Sequence, residues 1–516
     1  MPSPTETNPE PGPTRGNNSR EQAADVPLTP IALALSGGGF RAAGFHLGTL
    51  KLLHDVGLLD EVDALSTVSG GTIVGACWIL SRARGETFDS FYSRFYGFLE
   101  AGGVMPAAIE QLARPVDGKP PSLIRAAAQV YDDRLFKGAL FKEVLDSAKG
   151  PPEVSFNATE FRTGVHFRFQ RSASTQAVIG NGNVRIGRKE AENLHVADIV
   201  AASSCFPGGF EPMVLPGDFA TPGLEVEGGP VALMDGGIYD NQGIDALQLA
   251  MKRANGLKPG LVIISDTTQD LDHLYTAGKA PTPGSLRVRT VYLAATGALA
   301  AVTLVLLGKA IASLTDGSPY LALLDAGPAL VTGILGGGLV WLRGEVTGRF
   351  REAVPSVDLD HLGDLTVREF VGVVEARLRS LVALTGNVFM KRVRQLVFRN
   401  AYSDERLTGR ILSNLIYRMP EKQDAMESLQ ARGWKTPTEQ GLVEVVATAS
   451  AMPTTLWFTD PSQLPSLVRC GYASMCFNLG AHVLKRYQGD PSTWPPGVAA
   501  AWGECERIWK AGAKVA

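Results

Sequence analysis

Two glycine-flanked turns hold the residue types that can carry out chemistry. The first, Ser36-Gly37-Gly38-Gly39-Phe40-Arg41, follows the apolar run Ile31–Leu35 and opens a segment, Ala42–Val56, with Phe45, Leu50, Leu52 and Leu53 at helical spacing. Three glycines between a strand and a helix let backbone N–H groups converge on one point, and the helix N-terminus adds positive potential. Such a loop can cradle a phosphate or hold a developing oxyanion. No Gly-Lys-Ser/Thr follows, as a P-loop requires, and only the weaker G/A form of the dinucleotide pattern fits, with Ala42 in its last place. The second turn is Thr67-Val68-Ser69-Gly70-Gly71, at the end of an apolar run and the start of a small-residue helix. A serine there has its hydroxyl exposed above the sheet, the geometry of a nucleophile elbow, and the Gly70 N–H after it can join an oxyanion hole. Thr67 stands where the elbow pattern has its first glycine. A serine N-cap on a glycine-rich helix is the structural alternative.

A serine nucleophile needs a base. Among the histidines, His46 and His54 fall in an amphipathic helix, His166 alternates in a strand and His195 starts a helix, so none follows a strand on a loop. Asp235, in Ala232-Leu233-Met234-Asp235-Gly236-Gly237, ends an apolar strand, with two glycines clearing space around its carboxylate. Asp-Gly also starts turns. A carboxyl of ordinary pKa, about 3.9, is a poor base for a hydroxyl, so this role requires an apolar pocket that raises it.

These turns need a framework, and the strand-like runs Ile31–Leu35, Val62–Val68, Val154–Asn157, Val165–Phe169, Val231–Met234 and Leu261–Ile264 alternate with helical patterns. That alternation predicts an α/β fold with a mostly parallel sheet and helices on both faces. The 516 residues carry a net charge of −3, which excludes the basic bias of a nucleic-acid binder. Cys77, Cys205, Cys470, Cys476 and Cys505 are too few and scattered for a disulfide framework or a zinc site. Neither metal nor cofactor is expected. Residues 1–28, rich in Pro, Thr, Asn and Glu without an apolar run, read as a disordered tail.

Charged residues are only 20%, and residues 290–343 show where the deficit lies. The uncharged stretch Thr290–Gly308 would span roughly 28 Å as a helix, close to a bilayer's ~30 Å apolar core. A shorter, glycine-rich stretch, Ala326–Leu342, follows Asp325, which is expected to cap the second helix. The pair reads as a two-helix membrane hairpin, with two helices buried in a soluble domain as the alternative. Arg287 and Arg289 precede it and Arg343, Arg349 and Arg351 follow it, which places both ends on the cytoplasmic side. Beyond it, Thr366–Asn400 has helical apolar spacing and the cations Arg368, Arg377, Arg379, Lys391, Arg392, Arg394 and Arg399. It reads either as an amphipathic contact with anionic headgroups or as a solvated helix face.

Gly37-Gly38-Gly39-Phe40-Arg41, Val68-Ser69-Gly70-Gly71 and Asp235-Gly236-Gly237, in this order, resemble the patatin-like phospholipase family, with support from Phe156–Thr159 and Ala201–Pro207. The resemblance runs from about Ile31 to Asp266, and more weakly over Ala449–Leu484. It implies a three-layer sandwich and hydrolysis of lipid acyl esters by a Ser–Asp dyad without histidine. Carried over by position, Ser69 is the nucleophile, Asp235 the base, Gly37, Gly38, Gly39 and Gly70 the oxyanion hole, and Arg41 a loop-orienting or headgroup-binding residue. Thr67 and Ala42 depart from the family pattern. The expected organisation is a tail (1–28), a catalytic α/β domain (29–275), a linker (276–289), a membrane hairpin (290–343) and a mainly helical C-terminal region (344–516) packing partly on the catalytic domain. The expected partner is a membrane phospholipid or other acyl lipid, not a nucleic acid. A silent lipid-binding scaffold, an acyltransferase and a nucleotide-binding module are the competing functions.

Overall fold

Runs as apolar as Ile31–Leu35 form strands covered on both faces, because a one-sided sheet would alternate apolar with polar. In the computed structural model the strands are β1 (Ile31–Leu35), β2 (Val62–Val68), β3 (Glu153–Glu160), β4 (His166–Arg171), β5 (Ile179–Gly180), β6 (Arg185–Ile186), β7 (Met213–Leu215), β8 (Val231–Asp235), β9 (Leu261–Asp266) and β10 (Ile411–Leu415). They make one mixed sheet in the order β10-β9-β1-β2-β3-β4-β5-β6, with β8 on β3 and β7 on β8. The five strands from β10 to β3 are parallel. Residues 27–112, 121–253, 256–268, 286–353, 363–384, 388, 390–419 and 422–515 are described; the expected tail lies outside them up to residue 26, and most of the expected linker does too.

The helices include α1 (Gly39–Asp55), α2 (Gly70–Arg84), α3 (Val196–Ser203), α4 (Ile244–Lys252), α5 (Val288–Thr315), α6 (Pro319–Ala353), α7 (Val367–Ala383), α8 (Met390–Tyr402) and α9 (Gln463–Arg486). Alternate β1 residues feed two cores. Ile31, Leu33 and Leu35 pack with apolar residues of α1, α2 and α9. Ala32 and Ala34 pack with Ile244 and Leu247 of α4 and with Val397, Phe398 and Ala401 of α8. All five cysteines are buried and unpaired.

The C-terminal region is more than a helical neighbour of the sheet. β10 extends the parallel array beside β9, pairing Ile411 with Val262 through Leu415 with Asp266. The buried α9 crosses α1 so closely that a Cβ on Gly471 would lie 1.9 Å from the Phe45 carbonyl oxygen. Compact units therefore form from Met1–Asp272 with Thr385–Ala516, and from His273–Leu384.

In the second unit α5 and α6 form an antiparallel hairpin, and both are long and apolar enough to cross a membrane. Small residues let them approach: Thr303 and Thr332 hydroxyls are 2.8 Å apart, and Gly333 faces Thr303. Apart from Ala310, Ala322 and Ala329, most of their apolar side chains are exposed. At the open end the Arg343 guanidinium lies 4.6 Å from the centre of the Tyr292 ring. The start of α7 is tied to the same end, Val288 N–H donating to the Leu365 carbonyl and Val367 N–H to that of Leu286, both at 2.9 Å.

Two expectations change. Because α6 begins at Pro319, Asp325 lies inside the helix and does not cap it. The basic segment Thr366–Asn400 is two helices with different fates. On α7, Val371, Val374, Leu378 and Leu381 are exposed, whereas α8 packs on the sheet and commits Arg394 to a 2.9 Å ion pair with the fully buried Asp266. Arg394 is therefore not a headgroup cation.

Candidate active site

Strand register brings the two distant motifs together. β2 pairs with β3 so that Val68 faces Asn157, and β3 pairs with β8 so that Ala158 faces Asp235. Ser69, one residue beyond Val68, thus emerges beside Asp235 at the carboxyl end of the parallel strands, where open α/β sheets bind ligands.

Ser69 has φ 51° and ψ −118°, a conformation that costs a non-glycine residue of order 1–3 kcal/mol and persists only when its surroundings enforce it. Hydrogen bonds do so on both sides. The Ser69 carbonyl accepts from Thr72 and Ile73 N–H at 2.8 and 3.1 Å, and its own N–H donates to Ser203 Oγ at 3.1 Å. Ser203, at the end of α3, donates to the Asn157 carbonyl at 2.7 Å, so its oxygen is free to accept from Ser69 and from the Thr72 hydroxyl at 2.8 Å. Thr67, the departure from the elbow pattern, bonds Thr72 at 3.0 Å. Its methyl fits because α2 carries glycine at position 75, where a Cβ would lie 2.6 Å from Thr67 Cγ2. The space normally left by the elbow glycine has moved to the facing helix.

Asp235 is pinned through its backbone, its N–H donating to the Cys205 carbonyl and its carbonyl accepting from Thr159 Oγ1, both at 2.9 Å. Oδ1 accepts the Gly237 N–H at 2.7 Å. Oδ2 is buried without a partner of full hydrogen-bond geometry, although the Ser69 side chain is near enough to act on the carboxyl. Burial raises the Asp235 pKa to about 6, outweighing the lowering by Ser69 and the Gly237 amide.

The glycine loop divides its amides. Gly37 N–H donates to the Asn241 carbonyl at 2.9 Å and Phe40 N–H to that of Thr455 at 2.7 Å, so Gly37 is not an oxyanion donor. Thr267 Oγ1 donates to the Gly37 carbonyl at 2.9 Å. In a planar trans peptide this directs the Gly38 N–H the opposite way. The N–H groups of Gly38, Gly39 and Gly70 meet no acceptor among the described residues. Gly38 and Gly39 have φ 143° and 58°, which L side chains rarely adopt.

Arg41 does not face a substrate. It is buried, with Nη1 donating to the Met452 carbonyl at 2.5 Å and Nη2 to Thr454 Oγ1 at 3.0 Å. Burial lowers its pKa to about 10. It ties the start of α1 to residues 452–455, which also brace Gly39 and Phe40, so of its two expected roles loop orientation is the one its contacts fit. Sequence reading missed Ser203, Asn241, Thr267 and Thr455; only Ser203 lay in a stretch already singled out, and the others act through partners hundreds of residues away. The described residues contain no group of three or more His, Cys, Asp or Glu able to hold a metal ion.

Residues 33–247 match the family model for patatin-like phospholipases. Comparison with curated proteins finds no significant match. Among solved structures, VipD from Legionella pneumophila aligns over 87% of this chain and 91% of its own, with 13% identity and a TM-score of 0.23.

Proposed function

Residues 33–247 belong to the patatin-like phospholipase family, and from that premise we propose that the chain is a serine hydrolase of membrane-lipid acyl esters, of the phospholipase A or lysophospholipase type, working through a Ser69–Asp235 dyad on a three-layer α/β sandwich. The observation that carries this reading is the strained Ser69 beside a buried carboxyl whose pKa, about 6, lies near working pH. Ser69 Oγ attacks the ester carbonyl while Asp235 takes its proton. The Gly38, Gly39 and Gly70 amides hold the oxyanion. Asp235 then protonates the departing alcohol, and a water deprotonated by the same carboxylate releases the fatty acid from Ser69. An acceptor alcohol in place of water would give acyl transfer. Thr67, the one feature favouring a silent scaffold, loses its force because Gly75 accommodates it.

The hairpin α5–α6 supplies the surface. Its exposed apolar side chains suit a bilayer, and the excess of arginines flanking it supports an orientation with both ends on the cytoplasmic side. An enzyme held there meets a sparingly soluble substrate at high effective concentration.

The test is fatty-acid release from phospholipid and lysophospholipid vesicles. Ser69→Ala and Asp235→Asn each lose at least ~10³-fold in kcat, as dyad members do. Equal rates in all three proteins sink the proposal. Wild-type kcat/KM rises with pH through about 6, because only the ionised Asp235 accepts the proton.

A further inference from the structure

His46 is buried beneath the glycine loop and belongs to a polar chain that the hydrolytic mechanism leaves unused. Lys422 Nζ donates to Asn478 Oδ1 at 2.6 Å, and Asn478 Nδ2 to Asn414 Oδ1 at 3.0 Å. Asn414 Nδ2 donates to Thr49 Oγ1 at 3.1 Å and to Ser265 Oγ at 3.3 Å. Ser265 Oγ lies 3.0 Å from His46 Nδ1, and His46 Nε2 lies 3.0 Å from the Ser36 carbonyl oxygen. Asn478, Asn414, Ser265, Thr49, His46 and Ser36 are all buried.

Both ends of the chain are fixed below about pH 8, the value to which burial lowers the Lys422 pKa, since its ammonium only donates and a carbonyl oxygen only accepts. They set the direction of every link. His46 must carry its proton on Nε2 and accept at Nδ1, and burial lowers its pKa to about 4, so it is neutral at working pH. Every donor then points from Lys422 toward the loop, an arrangement in which successive bonds polarise one another. The last link grips the peptide joining Ser36 to Gly37, whose N–H is held from the other side by Asn241. From that peptide the chain passes directly into Gly38 and Gly39.

We propose that Lys422, Asn478, Asn414, Ser265 and His46 form a one-way hydrogen-bond relay that positions the oxyanion loop, with His46 as the positioning residue in contact with it. The consequence for catalysis rests on the reading of Gly38 and Gly39 as oxyanion donors; the relay itself does not.

Two measurements separate these. Hydrogen exchange at the bonded amides of Ser36, Gly37 and Phe40 quickens about tenfold or more in Lys422→Met and Asn478→Leu, while β2 keeps its protection. Unchanged loop exchange in both variants overturns the relay, whether or not the protein hydrolyses lipid. Lys422→Met, at the half-buried end, stays folded even if His46→Leu does not. Nitrogen NMR finds neutral His46 protonated at Nε2; protonation at Nδ1 overturns the direction. In hydrolysis, cutting the relay lowers kcat about 10–100-fold with KM nearly unchanged, the cost of an ångström-scale misplacement. His46→Gln, which keeps one donor and one acceptor, recovers part of that loss. Quickened loop exchange with an unchanged kcat removes the catalytic role.

Discussion

Leu33 and Leu35 of β1 are fully buried, whereas Leu304 of α5 and Leu323 of α6 are 69% and 73% exposed. One residue type meets opposite surroundings in the two units. In the sheet unit, apolar side chains find each other, and the cost of ordering the chain is offset by packing on both faces of the strands. In the hairpin unit two helices touch along a narrow stripe of small residues, and most of their apolar side chains are exposed among the described residues. Exposed apolar surface of this extent marks a site of contact with a membrane or another protein. The two halves of the basic segment repeat the contrast, with α8 folded into the sheet unit and α7 left with an apolar stripe outward.

Substitutions can break this comparison. The largest effect is expected where backbones of the sheet unit nearly touch. Gly471→Ala forces its Cβ toward the Phe45 carbonyl and costs about 4 kcal/mol, above ordinary overpacking because backbone cannot yield. Gly337→Ala in the hairpin, with nothing within 4 Å, changes stability by no more than about 1 kcal/mol. Similar melting shifts for the two would erase the distinction. Next comes Leu304→Arg, which lowers partition into vesicles by about 3 kcal/mol and leaves the melting of the sheet unit unchanged. A fall in that melting temperature would mean Leu304 is packed against protein.

Asp235→Asn sharpens the contrast from within the sheet unit, where burial also serves chemistry. The folded carboxyl keeps its proton up to about pH 6, while the unfolded one releases it near 4. The ionised group therefore disfavours folding above pH 6, and the variant gains up to about 3 kcal/mol at pH 8 as it loses activity. The gain fades as pH falls toward 4. Calorimetry at the two pH values checks the sign, and equal stability at pH 8 would mean the carboxylate is solvated. The smallest effect is Leu378→Ser on α7, expected to weaken vesicle binding by about 1 kcal/mol without altering the fold.

Much of this arrangement was legible in the chain. The strands feeding both turns could be placed because doubly buried strands are short, continuous apolar runs, and Ser69, Asp235 and the glycines stood out because turns after strands tolerate few residue types. β10 was not legible: Ile411–Leu415 includes Ser413 and Asn414, and only the paired β9 explains why it is a strand. Arg41 looked available for a ligand because nothing local showed that residues 452–454 cover it. His46 looked like one position in an amphipathic helix, since its partners Ser265 and Asn414 arrive from strands far along the chain.

The sequence by itself determined what is local: where the backbone must turn tightly, which segments are apolar enough to leave water, and which side chains stand at those turns. Tertiary structure alone decided what is relational. Register brought Asp235 to Ser69, burial raised its pKa, Gly75 made room for Thr67, and hydrogen bonds divided the glycine amides into those that hold the loop and those left open. A residue's conformational preference is set by its neighbours in the chain, but its solvent and its partners are set by whatever folding brings within a few ångströms.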